Sequence, residues 1–230
     1  MNIAVILAGG SGTRTNHSVP KQFLTVNDIP IIVYTMLNLQ KSPDIDRIVV
    51  LCPDGWINFV SLYAEQHHIT KLMKVLVGGS TRHQTILNAI EYLCGDFSGD
   101  DIVGIFDANR PLIPHNVIHN IMMAAETENA VVAVEPCYDS MYEVNDNKKI
   151  CCHLDRDVIF KGQTPETAKL GNFKKIYQKA AEDHIEEPPT ALFLRYEGTA
   201  CAVEGSSKNF KITTADDLAI FKALIAVEKK

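Results

Sequence analysis

A glycine-rich segment near the start of the chain, followed by two cations, combines residue types that can bind a triphosphate. Residues 7–14 read LAGGSGTR, and residues 20–22 read PKQ. Glycines let the backbone approach phosphate oxygens closely, and successive N–H groups can form an anion-binding concavity. Arg14 and Lys21 would stabilise the negative charge that moves onto a departing pyrophosphate. The alternative is a glycine-rich turn without a ligand, because the segment matches neither the P-loop nor the dinucleotide-binding pattern.

An acidic residue with a nearby arginine follows a later apolar segment, residues 101–106. The acidic residue is Asp107, and the arginine is Arg110. A carboxylate at the carboxyl end of a strand is well placed to hold Mg²⁺ that bridges the phosphates of a nucleotide. In the alternative interpretation, Asp107 caps the following turn and Arg110 is its surface partner.

A third candidate segment, residues 78–82 (GGSTR), joins a predicted strand to a predicted helix. Helix N-termini attract anions and offer free N–H donors. Ser80 or Thr81 could simply be the N-cap of that helix. Such a cap is compatible with ligand contacts from Arg82 and Thr85.

A fourth candidate segment, residues 209–218, precedes the last predicted helix. Thr214 is the expected N-cap, and Asp216 and Asp217 suit the first helical turn because of the helix dipole. A capping role does not explain Lys211. We expect Lys211 to project from the end of a strand toward the same rim as the other candidate residues.

The elements that must position these residues alternate between strand and helix. Apolar runs predict strands over residues 2–8, 47–52, 74–77, 101–106, 130–134 and near 199–203. Helical patterns cover residues 31–39, 57–67, 81–93, 116–126, 173–184 and 216–229. This alternation predicts an α/β fold with a single doubly wound, mostly parallel sheet. Ligands bind beyond the carboxyl ends of strands in such sheets, where the candidate residues lie.

The segment from residue 137 to residue 163 breaks this alternation. It has short, weakly alternating stretches around a turn at residues 145–147 (NDN), which predicts a β-arm that projects from the sheet. Residues 186–189 (EEPP) are expected to form a loop. We therefore predict one domain over residues 1–230 with a protruding arm.

Composition excludes several functional classes. The net charge of −6 argues against general nucleic-acid binding, which requires a basic face. No apolar run approaches the ~20 residues of a membrane span, and the first residues lack a signal-peptide pattern, so we expect a cytoplasmic protein. The six cysteines lack a Cys-x-x-Cys pair and are expected to be reduced and partly buried. The eight histidines lack the spacing of metal ligands.

Six motifs together resemble the cytidylyltransferase family that includes the methylerythritol phosphate and ribitol-5-phosphate enzymes. They lie at residues 7–14, 20–23, 78–82, 107–111, 163–165 and 209–213, in the family's order and spacing. The resemblance covers nearly the whole chain. It implies a Rossmann-like nucleotidyltransferase fold, Mg²⁺ or another divalent cation as cofactor, and a homodimer that takes CTP and a small phosphorylated polyol or sugar.

The resemblance also implies roles for individual residues. The acceptor's phosphate oxygen would attack the α-phosphorus of CTP in line, with Arg14, Lys21 and Lys211 as the catalytic cations. The implied nucleotide-binding residues are Leu7, Ala8, Gly9, Gly10, Gly12, Gly79, Arg82, Thr85 and Asp107, of which Asp107 is also the implied metal ligand. The implied acceptor-binding residues are Arg110, Asp139, Ser140 and Arg156. The last three fall in the arm, which in relatives reaches across a two-fold dimer axis.

The chain departs from the family's pattern at four places. Phe106 replaces a histidine common in relatives, and Asn109 replaces a small apolar residue. Glu166 replaces a glutamine, and residues 188–191 (PPTA) stand where an acidic motif is usual. We expect all four departures on the acceptor side of the site.

Two segments favour one branch of the family. Residues 20–24 and 54–58 are closer to the ribitol-5-phosphate enzymes than to the isoprenoid enzymes. The prediction is transfer of CMP to ribitol 5-phosphate, giving a CDP-polyol for surface polymer synthesis. Methylerythritol 4-phosphate is the alternative acceptor. A non-catalytic nucleotide-binding scaffold is the alternative from another class.

Overall fold

A computed structural model describes residues 1–9 and 19–228. The strands are β1 (Asn2–Leu7), β2 (Thr25–Val26), β3 (Ile29–Pro30), β4 (Arg47–Cys52), β5 (Leu72–Val77), β6 (Ile102–Asp107), β7 (Val131–Pro136), β8 (Met141–Val144), β9 (Ile150–Leu154), β10 (Phe160–Lys169) and β11 (Cys201–Glu204). The helices are α1 (Ile31–Lys41), α2 (Ile57–Gln66), α3 (Arg82–Asp96), α4 (His115–Ala124), α5 (Leu170–Glu182), α6 (Pro189–Glu197) and α7 (Ala215–Glu228).

The central sheet has the strand order β11-β7-β10-β6-β1-β4-β5. Neighbouring strands are parallel except where β10 runs antiparallel between β6 and β7. The predicted α/β class with a mostly parallel sheet is therefore confirmed. The carboxyl ends of β1, β6 and β4 meet at one edge of this sheet, as parallel pairing requires.

Apolar side chains cover both faces of the sheet, because the helices pack on both sides of it. Along β1, Ile3 and Val5 contribute to a buried cluster with residues of α3, α5 and α6, and the intervening Ala4 and Ile6 contribute to a cluster with α1, α2 and α4. Successive strand residues point to opposite faces, so a continuous apolar run is what a strand covered on both sides needs.

Apart from the short strands β2 and β3, two elements were not predicted from the sequence. The strand β10 was not predicted, because its central residues Gln163, Thr164, Glu166 and Thr167 are polar although they are buried. The register of β10 against β7 shifts between Gln163 and Glu166, within the part of the strand that borders the candidate site.

The helix α6 was also not predicted. It begins at Pro189, inside the segment that we expected to be a loop. Proline is tolerated at the first helical position because its missing N–H would have no partner there. Gly198 ends this helix with a φ of 79°, the left-handed conformation that favours glycine.

The segment predicted as an arm contains an exposed hairpin. Strands β8 and β9 form a separate two-stranded antiparallel sheet, followed by a 3-10 turn at Arg156–Val158. Residues 160–163 of the same segment belong to β10 and pair with β7. None of the helices in the described ranges is long and apolar enough to cross a membrane.

Candidate active site

A cavity of about 460 Å³ opens where the carboxyl ends of β1 and β6 meet the N-terminus of α3. Polar and charged groups make up much of its wall. It is lined by Leu7, Ala8, Gly9, Gln22, Gly79, Ser80, Thr81, Arg82, Thr85, Asp107, Ala108, Asn109 and Lys211. The cavity therefore brings together predicted residues from all four candidate segments. Of the glycine-rich segment, only the part that the structure describes, residues 7–9, is included.

The N-terminus of α3 forms one wall of the cavity. Thr81 is its N-cap, and its hydroxyl accepts a hydrogen bond of 3.1 Å from the backbone N–H of Gln84. The hydroxyl of Thr85 accepts from the N–H of Gly79 at 3.0 Å and donates to the carbonyl of Thr81 at 2.8 Å. The positive end of the helix dipole therefore faces a cavity suited to an anion.

Gly79 occupies a position that a larger residue could not. A β-carbon placed there would lie 2.8 Å from the backbone carbonyl carbon of Gln84. Real β-carbons do not approach backbone atoms this closely, so the tight turn into α3 depends on glycine.

Asp107 is the centre of a cluster of charges. Its Oδ1 accepts from Nη1 of Arg82 at 2.9 Å, and its Oδ2 lies 3.1 Å from Nε of Arg110 and 3.0 Å from Nζ of Lys211. Burial alone would raise the pKa of Asp107, but the three cations outweigh it and lower the pKa to about 2. The carboxylate is therefore ionised at neutral pH, and the cations outnumber it.

Lys211 reaches Asp107 from an irregular segment, which corrects the prediction that it lies at a strand end. The last strand ends at Glu204, and a 3-10 turn at Ser207–Asn209 precedes Lys211. Asn109 holds this segment, since its side-chain N–H donates to the carbonyl of Ile212 at 2.8 Å and its own carbonyl accepts from the N–H of Ile212 at 2.9 Å.

Lys21 lies beside the same segment, although it is not among the residues that line the cavity. It begins the 3-10 turn Lys21–Phe23, and its Nζ donates to the carbonyl of Thr213 at 2.6 Å. Phe23 stacks on Trp56 with ring centroids 4.0 Å apart, and Gln22 donates to the carbonyl of Ala8. These contacts fix the turn that carries Lys21.

The remaining predicted residues fall into two groups. Arg14, Gly10 and Gly12 lie outside the described residues. Asp139, Ser140 and Arg156 are exposed on the arm, and none of them is among the described residues that line the cavity.

The sequence assigned no role to Gln22, Asn109, Glu166 or Thr190, which lie at or near the cavity. Glu166 is buried and pairs with Arg82, with 3.1 Å between Oε1 and Nη2. Its other oxygen accepts from the backbone N–H and the hydroxyl of Thr190, at the start of α6. The sequence could have singled out Asn109, Glu166 and Thr190, because each belongs to a departure from the family's pattern.

The residues at the cavity fit a magnesium ion that takes most of its ligands from a substrate. Mg²⁺ is bound in many nucleotide sites by one or two carboxylates together with phosphate oxygens and water. Asp107 supplies one ionised carboxylate at the cavity wall. No group of three or more His, Cys, Asp or Glu side chains placed to hold a metal occurs among residues 1–9 and 19–228.

A cation-lined cavity at the carboxyl edge of a mostly parallel sheet, beside a helix N-terminus, is the arrangement in which α/β proteins bind nucleotides and other anionic ligands. Residues 2–227 match the model of the family described as "IspD: 2-C-methyl-D-erythritol 4-phosphate cytidylyltransferase". The chain belongs to this family, and the resemblance based on six motifs is confirmed. It is accordingly an enzyme of the cytidylyltransferase type.

Similar proteins carry two different names. The ribitol-5-phosphate cytidylyltransferase of Lacticaseibacillus paracasei is 33% identical over 98% of both chains. The protein of that name from Streptococcus agalactiae serotype Ia is 37% identical over 97% of this chain and 95% of its own. The 2-C-methyl-D-erythritol 4-phosphate cytidylyltransferase of Syntrophus aciditrophicus is 32% identical over 99% of this chain and 97% of its own.

Solved structures agree with the fold. The 2-C-methyl-D-erythritol 4-phosphate cytidylyltransferase of Francisella tularensis superposes with a TM-score of 0.79 at 26% identity, over 96% of this chain and 99% of its own. The 4-diphosphocytidyl-2C-methyl-D-erythritol synthase of Anaerococcus prevotii has a TM-score of 0.82 at 19% identity, over 98% and 96% of the two chains. The latter likeness shows the fold alone.

Proposed function

We propose that this protein transfers CMP from CTP to ribitol 5-phosphate and releases pyrophosphate. The convergence of Arg82, Arg110 and Lys211 on Asp107 carries the proposal. Arg82 and Lys211 line a cavity of about 460 Å³, and Arg110 adds a third positive charge at the same carboxylate. The ribitol-5-phosphate cytidylyltransferases at 33% and 37% identity support this acceptor. Residues 20–24 and 54–58 favour it as well.

In the proposed mechanism, an oxygen of the acceptor phosphate attacks the α-phosphorus of CTP in line. A new phosphorus–oxygen bond forms while the bond from the α-phosphorus to the bridging oxygen breaks, and that oxygen leaves with pyrophosphate. No covalent enzyme intermediate is needed, because positioning and electrostatic stabilisation supply the rate. A divalent cation, when bound by Asp107 and the phosphates, supplies further charge neutralisation.

The chain's own residues have distinct parts in this mechanism. Lys211, Lys21 and the sequence-assigned Arg14 stabilise the charge that develops on the α-phosphate and on the pyrophosphate. The N-terminus of α3 and Arg82 bind the nucleotide, and Arg110 belongs to the acceptor side. A scaffold without catalysis would gain little from such a cluster, because desolvating Asp107 and Arg110 costs free energy that their pairing often does not repay.

A two-fold dimer is the second part of the proposal, and Arg156 would then serve the partner's site. The arm exposes large apolar side chains, which a partner would cover: Tyr142 is 48%, Val144 53%, Ile150 65% and Val158 72% exposed. Arg156 is held by the carbonyl of Tyr138, which accepts from its Nη1 at 2.7 Å. A cytoplasmic location, expected from the sequence, belongs to the same proposal.

Methylerythritol 4-phosphate is the second candidate acceptor. It is favoured by the family description and by the Syntrophus relative, which is 32% identical. The two acceptors are both small polyol phosphates, so the charge cluster at Asp107 serves either.

Release of pyrophosphate from CTP and Mg²⁺ tests the proposal. The acceptor panel contains ribitol 5-phosphate, methylerythritol 4-phosphate, other pentose and pentitol phosphates, and aminoethylphosphonate. We expect ribitol 5-phosphate to give the highest kcat/KM. Strong turnover with methylerythritol 4-phosphate alone would identify that compound, and not ribitol 5-phosphate, as the acceptor. No turnover with any member of the panel would contradict the proposed reaction.

A further inference from the structure

Glu166 is a buried carboxylate that the proposed reaction does not use. It is 8% exposed and lies on β10, where the register against β7 shifts. Oε1 accepts from Nη2 of Arg82 at 3.1 Å, while Oε2 accepts from the backbone N–H of Thr190 at 2.9 Å and from its hydroxyl at 2.7 Å. Glu166 thus connects a wall of the nucleotide cavity to the first turn of α6, whereas the sequence led us to expect it on the acceptor side.

The partners of Glu166 explain why a carboxylate occupies this position. The Arg82 Nη2 and the Thr190 N–H are obligate donors, and they lie on opposite oxygens of the same group. A carboxylate accepts on both sides. A glutamine side chain would direct its NH₂ group at one of these donors, so it could satisfy only one side.

Arg82 has two carboxylate partners with different surroundings. Asp107 is shared with Arg110 and Lys211 and lines the cavity. Glu166 lies behind Arg82 and, within the described ranges, pairs with no cation other than Arg82. A ligand that draws Asp107 away from Arg82 would therefore leave the guanidinium held by Glu166 alone.

We propose that Glu166 is a positioning residue, which holds the Arg82 guanidinium in the cavity wall for nucleotide binding and ties it to α6 through Thr190. The inference rests on the proposed function, in which Arg82 contacts the nucleotide. Orientation by a fixed partner reduces the entropy that Arg82 would lose when the ligand binds. The positive end of the α6 dipole stabilises the same carboxylate.

Calorimetric titration of CTP without acceptor tests this inference, because it measures binding in the absence of turnover. We expect Glu166→Gln to weaken CTP binding about tenfold, as the loss of one charge-assisted hydrogen bond does. In an Arg82→Met background the same substitution should change the Kd by less than about twofold, since the effect passes through Arg82. Equal weakening in both backgrounds, or none in the native background, would overturn the proposal.

Substitutions at Thr190 give a second test that does not alter Glu166. Thr190→Val removes the hydroxyl donor and should weaken CTP binding about threefold, and Thr190→Ser keeps both donors and should leave the Kd unchanged. If Glu166→Gln does not fold, these variants decide the question. An unchanged Kd in Thr190→Val would count against the proposal.

Steady-state kinetics separate this inference from the proposed reaction. In Glu166→Gln we expect the KM for CTP to rise while the KM for ribitol 5-phosphate stays the same. Pyrophosphate release by the native protein tests the reaction itself. Full release by the native protein, together with an unchanged KM for CTP in Glu166→Gln, would reject the positioning role and leave the proposed function intact.

Discussion

At the scale of single residues, the negative charge of Asp107, which lines the cavity, also stabilises the folded protein. Replacement by asparagine keeps the shape and leaves Arg82, Arg110 and Lys211 without the carboxylate that neutralises them. The folded-state pKa is lowered to about 2, below the usual value of an unfolded aspartate. The ionised carboxylate therefore adds stability that is fully present above about pH 4 and is lost as the pH falls through about 2.

We predict that Asp107→Asn lowers the free energy of unfolding by roughly 2 kcal/mol at pH 7. The difference from the native protein should shrink between about pH 4 and pH 2. Urea denaturation at a series of pH values measures both effects. Asp146→Asn, on the exposed arm, is the control and should change little. If the difference in unfolding free energy grew as the pH fell, the ionised carboxylate of Asp107 would not be the stabilising form.

The second prediction at this scale concerns Lys21. Removing a cation that stabilises a departing pyrophosphate should cost two or three orders of magnitude in kcat, roughly 3–4 kcal/mol of transition-state stabilisation. Lys21→Ala removes one hydrogen bond, to the carbonyl of Thr213, so the fold should be kept. Turnover and thermal melting are compared with those of Lys74→Ala, which removes an exposed lysine on β5. An unchanged kcat would exclude Lys21 from the site.

At the scale of elements, Asn109 determines where the segment that carries Lys211 lies. Asn109→Ala removes the hydrogen bond from its side chain to the carbonyl of Ile212 and keeps the backbone bond between the same two residues. We expect kcat/KM to fall about tenfold as Lys211 loses its fixed position, with a stability loss of about 1 kcal/mol. Asn172→Ala, on α5, is a matched control, because it removes a side-chain hydrogen bond to the backbone carbonyl of Asn129. Equal effects on kcat/KM would contradict the positioning role of Asn109.

Elements with a continuous apolar pattern could be predicted from the sequence, and elements with polar interiors could not. β1 and β6 are apolar runs, so the positions of Ala8 and Asp107 at their ends followed from the pattern. β10 carries Gln163, Thr164 and Glu166, which are buried through tertiary hydrogen bonds that no local pattern reveals. For the same reason the pairing of Glu166 with Thr190 could not be predicted, since the two residues are 24 positions apart.

The candidate site shows the same division. Local sequence predicted Ser80 or Thr81 as the cap of one helix and Thr214 as the cap of another. Thr81 and Thr214 each accept a hydrogen bond from the N–H three residues further along. Lys211 was predicted to project from a strand end toward the same rim as the other candidate residues, but the last strand of the described ranges ends at Glu204. The actual support of Lys211 is an irregular segment whose course depends on Asn109, a long-range contact.

At the scale of the whole molecule, the proposed dimer predicts that the arm of one chain completes the site of its partner. Val144 and Ile150 are opposite each other on the hairpin and both are exposed, so a partner subunit would cover an apolar surface there. Replacing both by lysine should convert a dimer to a monomer. Analytical ultracentrifugation measures this change. CTP binding should persist in the monomer, because Arg82, Asp107 and Lys211 of a single chain already form the cavity wall.

A mixing experiment tests whether each site is built from two chains. Arg156→Ala and Lys21→Ala should each be nearly inactive, the first lacking an acceptor contact and the second a catalytic cation. In a mixed two-fold dimer, the Lys21 of one chain and the Arg156 of the other meet in one intact site, while the second site lacks both. When equal amounts of the two variants are mixed, about half of the dimers contain one chain of each. Each mixed dimer has one intact site out of two, so activity should return to about a quarter of the native value. Activity that stays at the level of the separate variants, although the chains exchange, would place Arg156 in its own chain's site or in none.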